Sequence, residues 1–491
     1  MAEAVPTAFS DHGLRVMEEE TVDAQDPIME KIRSDPRRLA LFYEIEDTAA
    51  WLRNGGYTRI ALQFPDALLP DAVEVVAQLR SCLENPVNIF VLGDTSYGSC
   101  CVDEVAAQHA MGECVVHYGP ACRSATTRLP VYYVFGQYPI HIDDCVEQMK
   151  HEVEKLPRTH SLLLLHDARF LYTIGRLVRA LEEALERPVE CGEMARYYDP
   201  TTDVEDTPPL RIGGQTIRHR TQIDGDVIVL YVGPGSSQLM NILLRCNTST
   251  CIHYDPTQRS CQPASKVNKL LMRRYYLVQQ AKAAQMVGIL VGTLGVAHYM
   301  DTVNQLRTAI NASGRRAYVF VVGKINVPKL ANYAEIDLFV LVACPENSLL
   351  DSKEFYKPIV TPYEMQLALQ HDREWTGDYR LDFQDIVPEL VALEPQREPE
   401  NDVPYFSLVS GTLEAPPHVN LAYDNATDPD EESALVCGAA HESALTTFVS
   451  KAGEFLATRE FQGLDPRIGD DAAHAAQLGS RGIAKGYKDL I

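Results

Sequence analysis

Residues 337–344 read Asp337-Leu-Phe-Val-Leu-Val-Ala-Cys344, an almost unbroken apolar run that ends in a cysteine. Such a run is typical of a strand in a parallel sheet with helices on both faces, because a half-exposed strand would alternate polar and apolar residues. The stretch Cys114-Val-Val-His-Tyr-Gly-Pro-Ala-Cys122 follows the same plan far earlier in the chain. Each stretch therefore predicts a buried parallel strand followed by a cysteine.

The rest of the chain repeats this plan three times. Each repeat begins with a strand and a helix: Thr58–Phe64 with Pro70–Leu79, Ser161–His166 with Leu171–Leu185, and Met286–Val291 with Ala297–Ile310. A second and a third strand follow: Asn88–Leu92 with Cys114–Tyr118, Asp226–Val232 with Cys251–Tyr254, and Ala317–Val322 with Asp337–Val342. Strands that alternate with helices predict parallel pairing, so the fold class is α/β.

We expect three similar domains, each a small parallel sheet flanked by helices, arranged around a pseudo-threefold centre. In chain order, the expected segments are a flexible leader (1–40), domain 1 (41–158), domain 2 (159–284), domain 3 (285–385) and a C-terminal extension with acidic linkers (386–491). Within the extension, Tyr405–Leu413 predicts a strand and Glu442–Ala457 a helix.

The composition indicates a globular protein of a reducing compartment. Of the 491 residues, 46% are hydrophobic, but no apolar run is long enough to cross a bilayer. The formal net charge of −24 argues against general binding of nucleic acid. The first residues show no apolar signal core. Twelve cysteines without a compact disulfide pattern favour free or metal-bound thiols, so we expect a cytoplasmic protein without a membrane or nucleic-acid partner.

Three cysteines follow predicted strands. Cys101 comes after a second strand, and Cys122 and Cys344 come after third strands. Ligands of open parallel sheets bind beyond the carboxyl ends of the strands, and soft thiolates gathered there suit an iron–sulfur cluster or zinc. However, the spacing matches no local metal-binding motif, and single cysteines are more often small buried hydrophobes. From spacing alone, both interpretations stay open.

Several other residues have two interpretations. Cys100 is expected to point away from a metal bound by Cys101, although it is an alternative ligand. The turn Gly292-Thr-Leu-Gly295 either lets the backbone approach a ligand or is a tight strand-to-helix turn. His117 and His166 follow strands and are expected to be core histidines. A weaker zinc candidate consists of Cys246, Cys251 and Cys261.

Many motifs of the chain resemble those of the diphthamide synthase family. The motifs are Gln63-Phe-Pro-Asp66, Leu92-Gly-Asp-Thr-Ser-Tyr-Gly-Ser-Cys-Cys-Val-Asp103, His117-Tyr-Gly-Pro-Ala-Cys122, Gly292-Thr-Leu-Gly295, Lys329-Leu-Ala-Asn332, Val342-Ala-Cys-Pro345 and Pro358-Ile-Val-Thr-Pro-Tyr-Glu364. Near the end, Gln462-Gly-Leu-Asp-Pro-Arg467 and Arg481-Gly-Ile-Ala484 are similar to eukaryotic members. The resemblance covers everything after the expected leader.

The resemblance implies a 4Fe-4S cluster between three related domains, with S-adenosylmethionine as the substrate of the complex. A 3-amino-3-carboxypropyl group passes from it to a histidine of translation elongation factor 2 in the first step of diphthamide biosynthesis. For eukaryotic members, the resemblance also implies two protein partners. One is diphthamide biosynthesis protein 1, the catalytic subunit of a heterodimer, and the other is a small electron-donor protein.

The chain departs from the catalytic members at one place. Those members supply one cluster cysteine from each domain, whereas the matching stretch here, Leu210-Arg-Ile-Gly-Gly-Gln-Thr216, carries glycine. The resemblance therefore implies Cys101, Cys122 and Cys344 as ligands of a cluster that keeps the partner's cluster reduced, in a subunit more accessory than catalytic. Two alternatives remain open: a cluster-free structural subunit that only stabilises the catalytic partner, and a catalytically competent homodimer.

Overall fold

The structure is a computed structural model of the chain. It describes residues 27–391, except 84–85, 94–96, 202–209, 219, 221–222, 224, 265–266, 351–354 and 371–378, together with the short strands Tyr405–Phe406 and Leu413–Glu414. The described residues belong to one compact unit that ends at Leu421. None of the helices in this part of the chain is long and apolar enough to span a lipid bilayer.

The first part of the chain builds the first parallel sheet. Its elements are α1 (Pro27–Arg33), α2 (Pro36–Phe42), α3 (Ile45–Gly55), β1 (Arg59–Gln63), α4 (Ala72–Cys82), β2 (Asn88–Val91), α5 (Glu104–His109), β3 (Cys114–Tyr118), β4 (Val131–Val134) and α6 (Ile142–Val153). The strands pair in parallel in the order β2-β1-β3-β4. Every residue of β3 and β4 is buried, as the apolar runs predict for strands covered on both faces.

The second sheet follows directly in the chain. Its part of the chain contains β5 (Ser161–His166), α7 (Leu171–Leu185), β6 (Val189–Cys191), β7 (Tyr197–Tyr198), β8 (Leu210–Ile212), β9 (Gln215–Ile217), β10 (Val227–Val232), α8 (Ser237–Arg245), β11 (Thr250–Asp255), β12 (Ser260–Pro263) and α9 (Val267–Ala283). The order β6-β5-β10-β11 is parallel, and β12 adds an antiparallel edge. β8 and β9 form a hairpin, whereas β7 pairs with β4 of the first sheet.

The third sheet repeats the order of the first. The elements are β13 (Met286–Val291), α10 (Tyr299–Ala312), β14 (Arg316–Val321), α11 (Val327–Ala331), β15 (Leu338–Val342), β16 (Ile359–Val360), α12 (Pro362–Leu369), α13 (Phe383–Val391) and a hairpin of β17 (Tyr405–Phe406) and β18 (Leu413–Glu414). The strands pair in parallel in the order β14-β13-β15-β16. Parallel sheets flanked by helices confirm the α/β class.

The strand count of the second repeat is corrected by the structure. The short strand β6 pairs with β5 and takes the place that β2 has beside β1. Consequently Val227–Val232 is the third strand of its sheet, and Thr250–Asp255 is the fourth. The sequence analysis missed β6 because its three residues carry no usable periodicity. In the second sheet, the third strand therefore ends at Val232-Gly233. This strand end corresponds to those that precede Cys122 and Cys344, and it carries no cysteine.

Two expectations outside the sheets also change. Residues 27–40, assigned to a flexible leader, form α1 and most of α2, and they bury Met29 and Leu39 in the core of the first two sheets. Burial of these apolar side chains stabilises helices that are too short to persist alone. Of the strand predicted for Tyr405–Leu413, the structure describes only the two ends, where Tyr405–Phe406 pairs antiparallel with Leu413–Glu414. The predicted helix Glu442–Ala457 lies outside the described residues.

A buried ion pair joins α9 to α12 in the third part of the fold. Arg274 Nε and Nη2 lie 2.5 Å from the two carboxylate oxygens of Glu364, and the two side chains are 5% and 0% exposed. The Tyr379 hydroxyl donates to Glu364 Oε1 at 2.9 Å, and the Thr361 backbone N–H donates to Oε2 at 2.9 Å. Each carboxylate oxygen therefore has two hydrogen-bond partners, which offsets the cost of burying the charge.

Candidate metal centre

Four cysteines from two sheets meet at one point. Cys100 and Cys101 lie between β2 and α5, Cys122 follows β3, and Cys344 follows β15. Their Sγ atoms all lie within 4.8 Å of one another, with 3.6 Å between Cys100 and Cys344 and 4.0 Å between Cys101 and Cys122. Cys100 is half-buried and the other three are buried. The structure thus brings the three predicted cysteines together, and the expectation that Cys100 points elsewhere is wrong.

Buried strand residues fix the loop that carries the paired cysteines. Gln63, the last residue of β1, donates from Nε2 to the Cys101 carbonyl oxygen at 2.8 Å, and its Oε1 accepts from the Asp103 backbone N–H at 2.9 Å. His117 in β3 places Nε2 3.1 Å from the Ser99 carbonyl oxygen. Because the sheet positions both side chains, it also positions the thiols on this loop.

The third part of the fold contacts the same thiols. Thr293 Oγ1 lies 3.8 Å from Cys101 Sγ, and Asn347 Nδ2 donates to Cys100 Sγ at 3.3 Å. Gly295 faces the carbonyl oxygen of Val102 so closely that a Cβ there would clash with it. The glycine turn that contains Thr293 and Gly295 therefore serves the close approach of two loops around the cysteines.

Because the thiols lie close together, the pKa values of two of them shift in opposite directions. Hydrogen bonding with Cys100 first, and then with Cys101 and Cys344, holds the pKa of the Cys122 thiol well below its ordinary value. Hydrogen bonding with Cys101 first, and then with Cys122 and Cys344, raises the pKa of Cys100 well above its ordinary value. Neighbouring S–H groups thus stabilise one thiolate, and its charge opposes a second. A bound cationic centre would relieve this repulsion and deprotonate the remaining ligands.

The donor chemistry fits a centre that prefers soft ligands. Among the described residues, the group consists of thiols alone, which suits zinc or an iron–sulfur cluster rather than magnesium or calcium. A tetrahedral zinc ion with Zn–S bonds of about 2.3 Å places its sulfurs about 3.8 Å apart. A 4Fe-4S cluster fits the same donors, but each thiolate binds a different iron, so the sulfurs must lie further apart than they do here. Both centres fit the donor set, and they differ in the spacing that they need.

A glycine turn from the second part of the fold lies beside Cys122. The Gly213 carbonyl oxygen, in the turn between β8 and β9, accepts from Arg123 Nη2 at 2.6 Å. A Cβ at Gly214 would lie 2.5 Å from the same Nη2, so the guanidinium occupies the space of a side chain at this position. Cys122, Arg123 and both glycines contribute to the wall of a cavity of about 20 Å³, enough for one water molecule.

Gly214→Ala is expected to lower the free energy of unfolding by about 1–3 kcal/mol, because the new Cβ meets Arg123 and the backbone φ of 72° is strained for alanine. Urea unfolding of the purified chain measures the change. The control is Gly175→Ala in α7, where a Cβ meets nothing within 4 Å and where alanine is expected to stabilise the helix by about 0.5–1 kcal/mol. Equal effects of the two substitutions would contradict the close approach at Gly214.

Known proteins are similar to this chain over most of its length. Residues 64–380 match the family of diphthamide synthesis proteins. The zebrafish (Danio rerio) 2-(3-amino-3-carboxypropyl)histidine synthase subunit 2 is 39% identical over 92% of each chain. The chicken (Gallus gallus) protein of the same name is 39% identical over 98% of each chain. The crystal structure of Dph2 from Pyrococcus horikoshii with a 4Fe-4S cluster shares the fold, with a TM-score of 0.52 and 20% identity over 69% of this chain and 92% of that one.

These matches identify an α/β protein of a family defined by diphthamide synthesis. The chain belongs to the diphthamide synthesis protein family, which confirms the resemblance drawn from its motifs. Its relatives from zebrafish and chicken are named as the second subunit of a synthase, a name that implies a partner subunit for those proteins.

Other sequence candidates have a different place in the structure. Cys246 and Cys251 belong to the apolar core of the second sheet, and with Cys261 they form no metal-binding group among the described residues. His117 and His166 are buried, as expected, and each has one ring nitrogen near a backbone carbonyl oxygen. Sequence reasoning missed the roles of the residues that surround the thiols, Gln63, Asn347, Thr293 and Arg123. The only signal was that all four lie in or close to the quoted motifs.

Proposed function

We propose that this chain is the cluster-carrying second subunit of the 2-(3-amino-3-carboxypropyl)histidine synthase of diphthamide biosynthesis. The observation that carries the proposal is the convergence of buried cysteines from two sheets within 4.8 Å. Membership of the diphthamide synthesis family gives this thiol group its context, and the archaeal relative with the same fold contains a 4Fe-4S cluster.

We propose Cys101, Cys122 and Cys344 as the three ligands. All three are buried, whereas Cys100 is half-buried and its Sγ already accepts a hydrogen bond from Asn347. Cys101 is additionally fixed through its carbonyl oxygen by Gln63. A thiolate that is buried and rigidly held suits a permanent ligand, whereas Cys100 is better suited to hydrogen bonding with the bound group.

The proposed division of labour assigns electron supply to this chain and group transfer to its partner. A 4Fe-4S cluster, when bound, supplies one-electron transfer. In this chain the turn Gly213–Gly214 carries no thiol, and Arg123 fills the adjacent space. We propose that the partner, diphthamide biosynthesis protein 1, uses S-adenosylmethionine to modify a histidine of translation elongation factor 2. An electron-donor protein would reduce this chain, which in turn keeps the partner reduced.

We further propose that the three sheets form three domains around a pseudo-threefold centre, with boundaries near residues 158 and 284. Support comes from the shared strand order of the sheets and from the cysteines at the strand ends of the first and third sheets. The cytoplasm is the proposed location, since the described cysteines are free thiols that suit a reducing compartment.

The functional test uses Cys122→Ala in the heterodimer, with transfer to elongation factor 2 followed by mass spectrometry. When the electron-donor protein is limiting, product formation is expected to fall by about tenfold or more. With excess dithionite, which reduces the partner directly, the variant is expected to match the wild type. The control is Cys145→Ala, which removes a buried cysteine of α6 outside the thiol group.

Two other functions predict different results in this test. A cluster-free structural subunit predicts wild-type turnover of Cys122→Ala with either reductant. A catalytically competent homodimer predicts turnover of the chain without diphthamide biosynthesis protein 1. Either result would overturn the proposed electron-supplying role.

A further inference from the structure

Arg123 is a buried cation without a carboxylate partner among the described residues. The residue is 6% exposed, and its Nη1 and Nη2 contact Met194 Sδ at 2.5 Å and the Gly213 carbonyl oxygen at 2.6 Å. Its Cζ lies 5.8 Å from the centroid of the Phe135 ring. Nε is buried without a hydrogen-bond partner. These contacting groups are neutral, and the carboxylates of Glu346 and Asp167 act on the charge without touching the guanidinium.

The backbone at this position adds a second cost. Arg123 has φ of 52°, in the left-handed region where glycine is favoured. A strained backbone and a buried unpaired charge both destabilise the folded state, so the arginine side chain must have a stabilising interaction when the protein works. If the side chain had no such interaction, glycine at position 123 would avoid both the backbone strain and the buried charge.

Only a few groups near Arg123 can supply the negative charge that would balance its guanidinium. The adjoining cavity of about 20 Å³ has room for a water molecule beside the guanidinium. Asp167 is already bound by Arg169 at 2.9 Å. Glu346 acts on Arg123 through its charge and Asp382 lines the same cavity, but neither forms an ion pair with Arg123 among the described contacts. The thiol group is the nearer choice in the chain, since Cys122 precedes Arg123 directly and lines the same cavity.

We propose that Arg123 is the counter-charge of the thiolate-ligated cluster and that it raises the cluster's reduction potential. The inference rests on the proposed function, because it requires the 4Fe-4S cluster. Three thiolates outweigh the positive charge of the iron–sulfide core, and reduction by one electron adds a further negative charge. A fixed guanidinium beside Cys122 favours the more negative, reduced state, so it helps this chain to hold an electron taken from a protein donor.

This role also accounts for the glycines of the turn Gly213–Gly214 beside Arg123. The guanidinium occupies the space of a side chain at Gly214, so a cysteine cannot lie there while Arg123 is in place. The Gly213 carbonyl oxygen and the hairpin behind it hold the guanidinium in position. Arg123 with Gly213 and Gly214 therefore forms a unit that holds a positive charge where no thiolate can lie.

The test is a redox titration of the heterodimer, followed by electron paramagnetic resonance. Its partner subunit carries alanines at its own cluster cysteines, so that the signal belongs to this chain. The comparison is made at the potential at which half of the wild-type cluster is reduced. There, Arg123→Gln is expected to lower the ratio of reduced to oxidised cluster about tenfold, which equals a fall of ~59 mV in the midpoint potential of a one-electron couple. Arg123→Lys should restore part of the ratio. Arg128→Gln, which removes an exposed arginine of the same segment, should leave it unchanged.

A second pair of variants leaves Arg123 in place. Met194→Glu brings a carboxylate to Nη1 and neutralises the guanidinium, so the ratio is expected to fall as in Arg123→Gln; Met194→Gln, of the same shape, should leave it unchanged. The inference is overturned if Arg123→Gln or Met194→Glu retains full iron and sulfide with the wild-type ratio. A wild-type chain without iron and sulfide would instead contradict the proposed function, so the two failures are distinguishable.

Discussion

Cys344→Ala is expected to reduce the iron bound by this chain to background, and Cys101→Ala and Cys122→Ala are expected to do the same. All three thiols are buried, and a cluster that loses one of three protein ligands gains water and dissociates. Cys100→Ala is expected to keep its iron, because the half-buried Cys100 contributes a hydrogen bond rather than a ligand. Iron analysis of anaerobically purified heterodimer, with the partner's own cluster cysteines replaced, measures these contents.

The matched control for these variants is Cys145→Ala, which replaces a cysteine with 0% exposure in the apolar core. It shares the loss of a buried thiol and should retain the wild-type iron content. If Cys100→Ala loses the iron and Cys101→Ala retains it, the ligand assignment is reversed between these neighbours. If all the variants retain iron, the thiol group is not its binding site.

Arg274→Met is expected to lower the free energy of unfolding by about 3–5 kcal/mol, because it leaves the Glu364 carboxylate buried without its cation. The Tyr379 hydroxyl and Thr361 N–H would remain as partners, and they cannot balance the charge. Urea unfolding at neutral pH measures the difference.

The control for Arg274→Met is Arg307→Met, which replaces an exposed arginine of α10 and is expected to change stability by less than about 0.5 kcal/mol. The double variant Arg274→Met/Glu364→Gln tests the cause, since it removes both charges together. It is expected to recover part of the lost stability. A double variant no more stable than Arg274→Met would show that packing of the arginine, not its charge, stabilises the contact between α9 and α12.

Much of the fold follows from apolar periodicity. Ser161–His166 is a continuous apolar run, and it forms a strand with the predicted bounds. Leu171–Leu185 has the apolar repeat of a helix, and it forms a helix with the predicted bounds. The three-residue strand β6 is too short for such a pattern, and missing it shifted the strand count of the second repeat. The helices within residues 27–42 are also short, and tertiary burial rather than local propensity stabilises them.

The meeting of Cys101 and Cys122 could be predicted because they follow strands of one parallel sheet, whose carboxyl ends share an edge. Cys344 follows a strand of another sheet, and its place beside them was implied by the family resemblance rather than by strand order. The direction of Cys100 could not be predicted, since it depends on the turn geometry between β2 and α5 rather than on residue type. Arg123 directly follows the motif that ends at Cys122, but nothing in the sequence indicates that it is buried. Its importance comes from burial without a carboxylate and from the space at Gly214, which only three-dimensional packing reveals.

The central claim is tested most directly by measuring iron, acid-labile sulfide and zinc in the anaerobic heterodimer whose partner lacks its own cluster ligands. The account predicts iron and sulfide in equal amounts, about four of each per chain, and a paramagnetic signal after reduction with dithionite. Thiols that lie within 4.8 Å of one another would also accommodate one tetrahedral zinc ion. One zinc per chain, with neither sulfide nor a paramagnetic signal, would contradict an electron-supplying subunit.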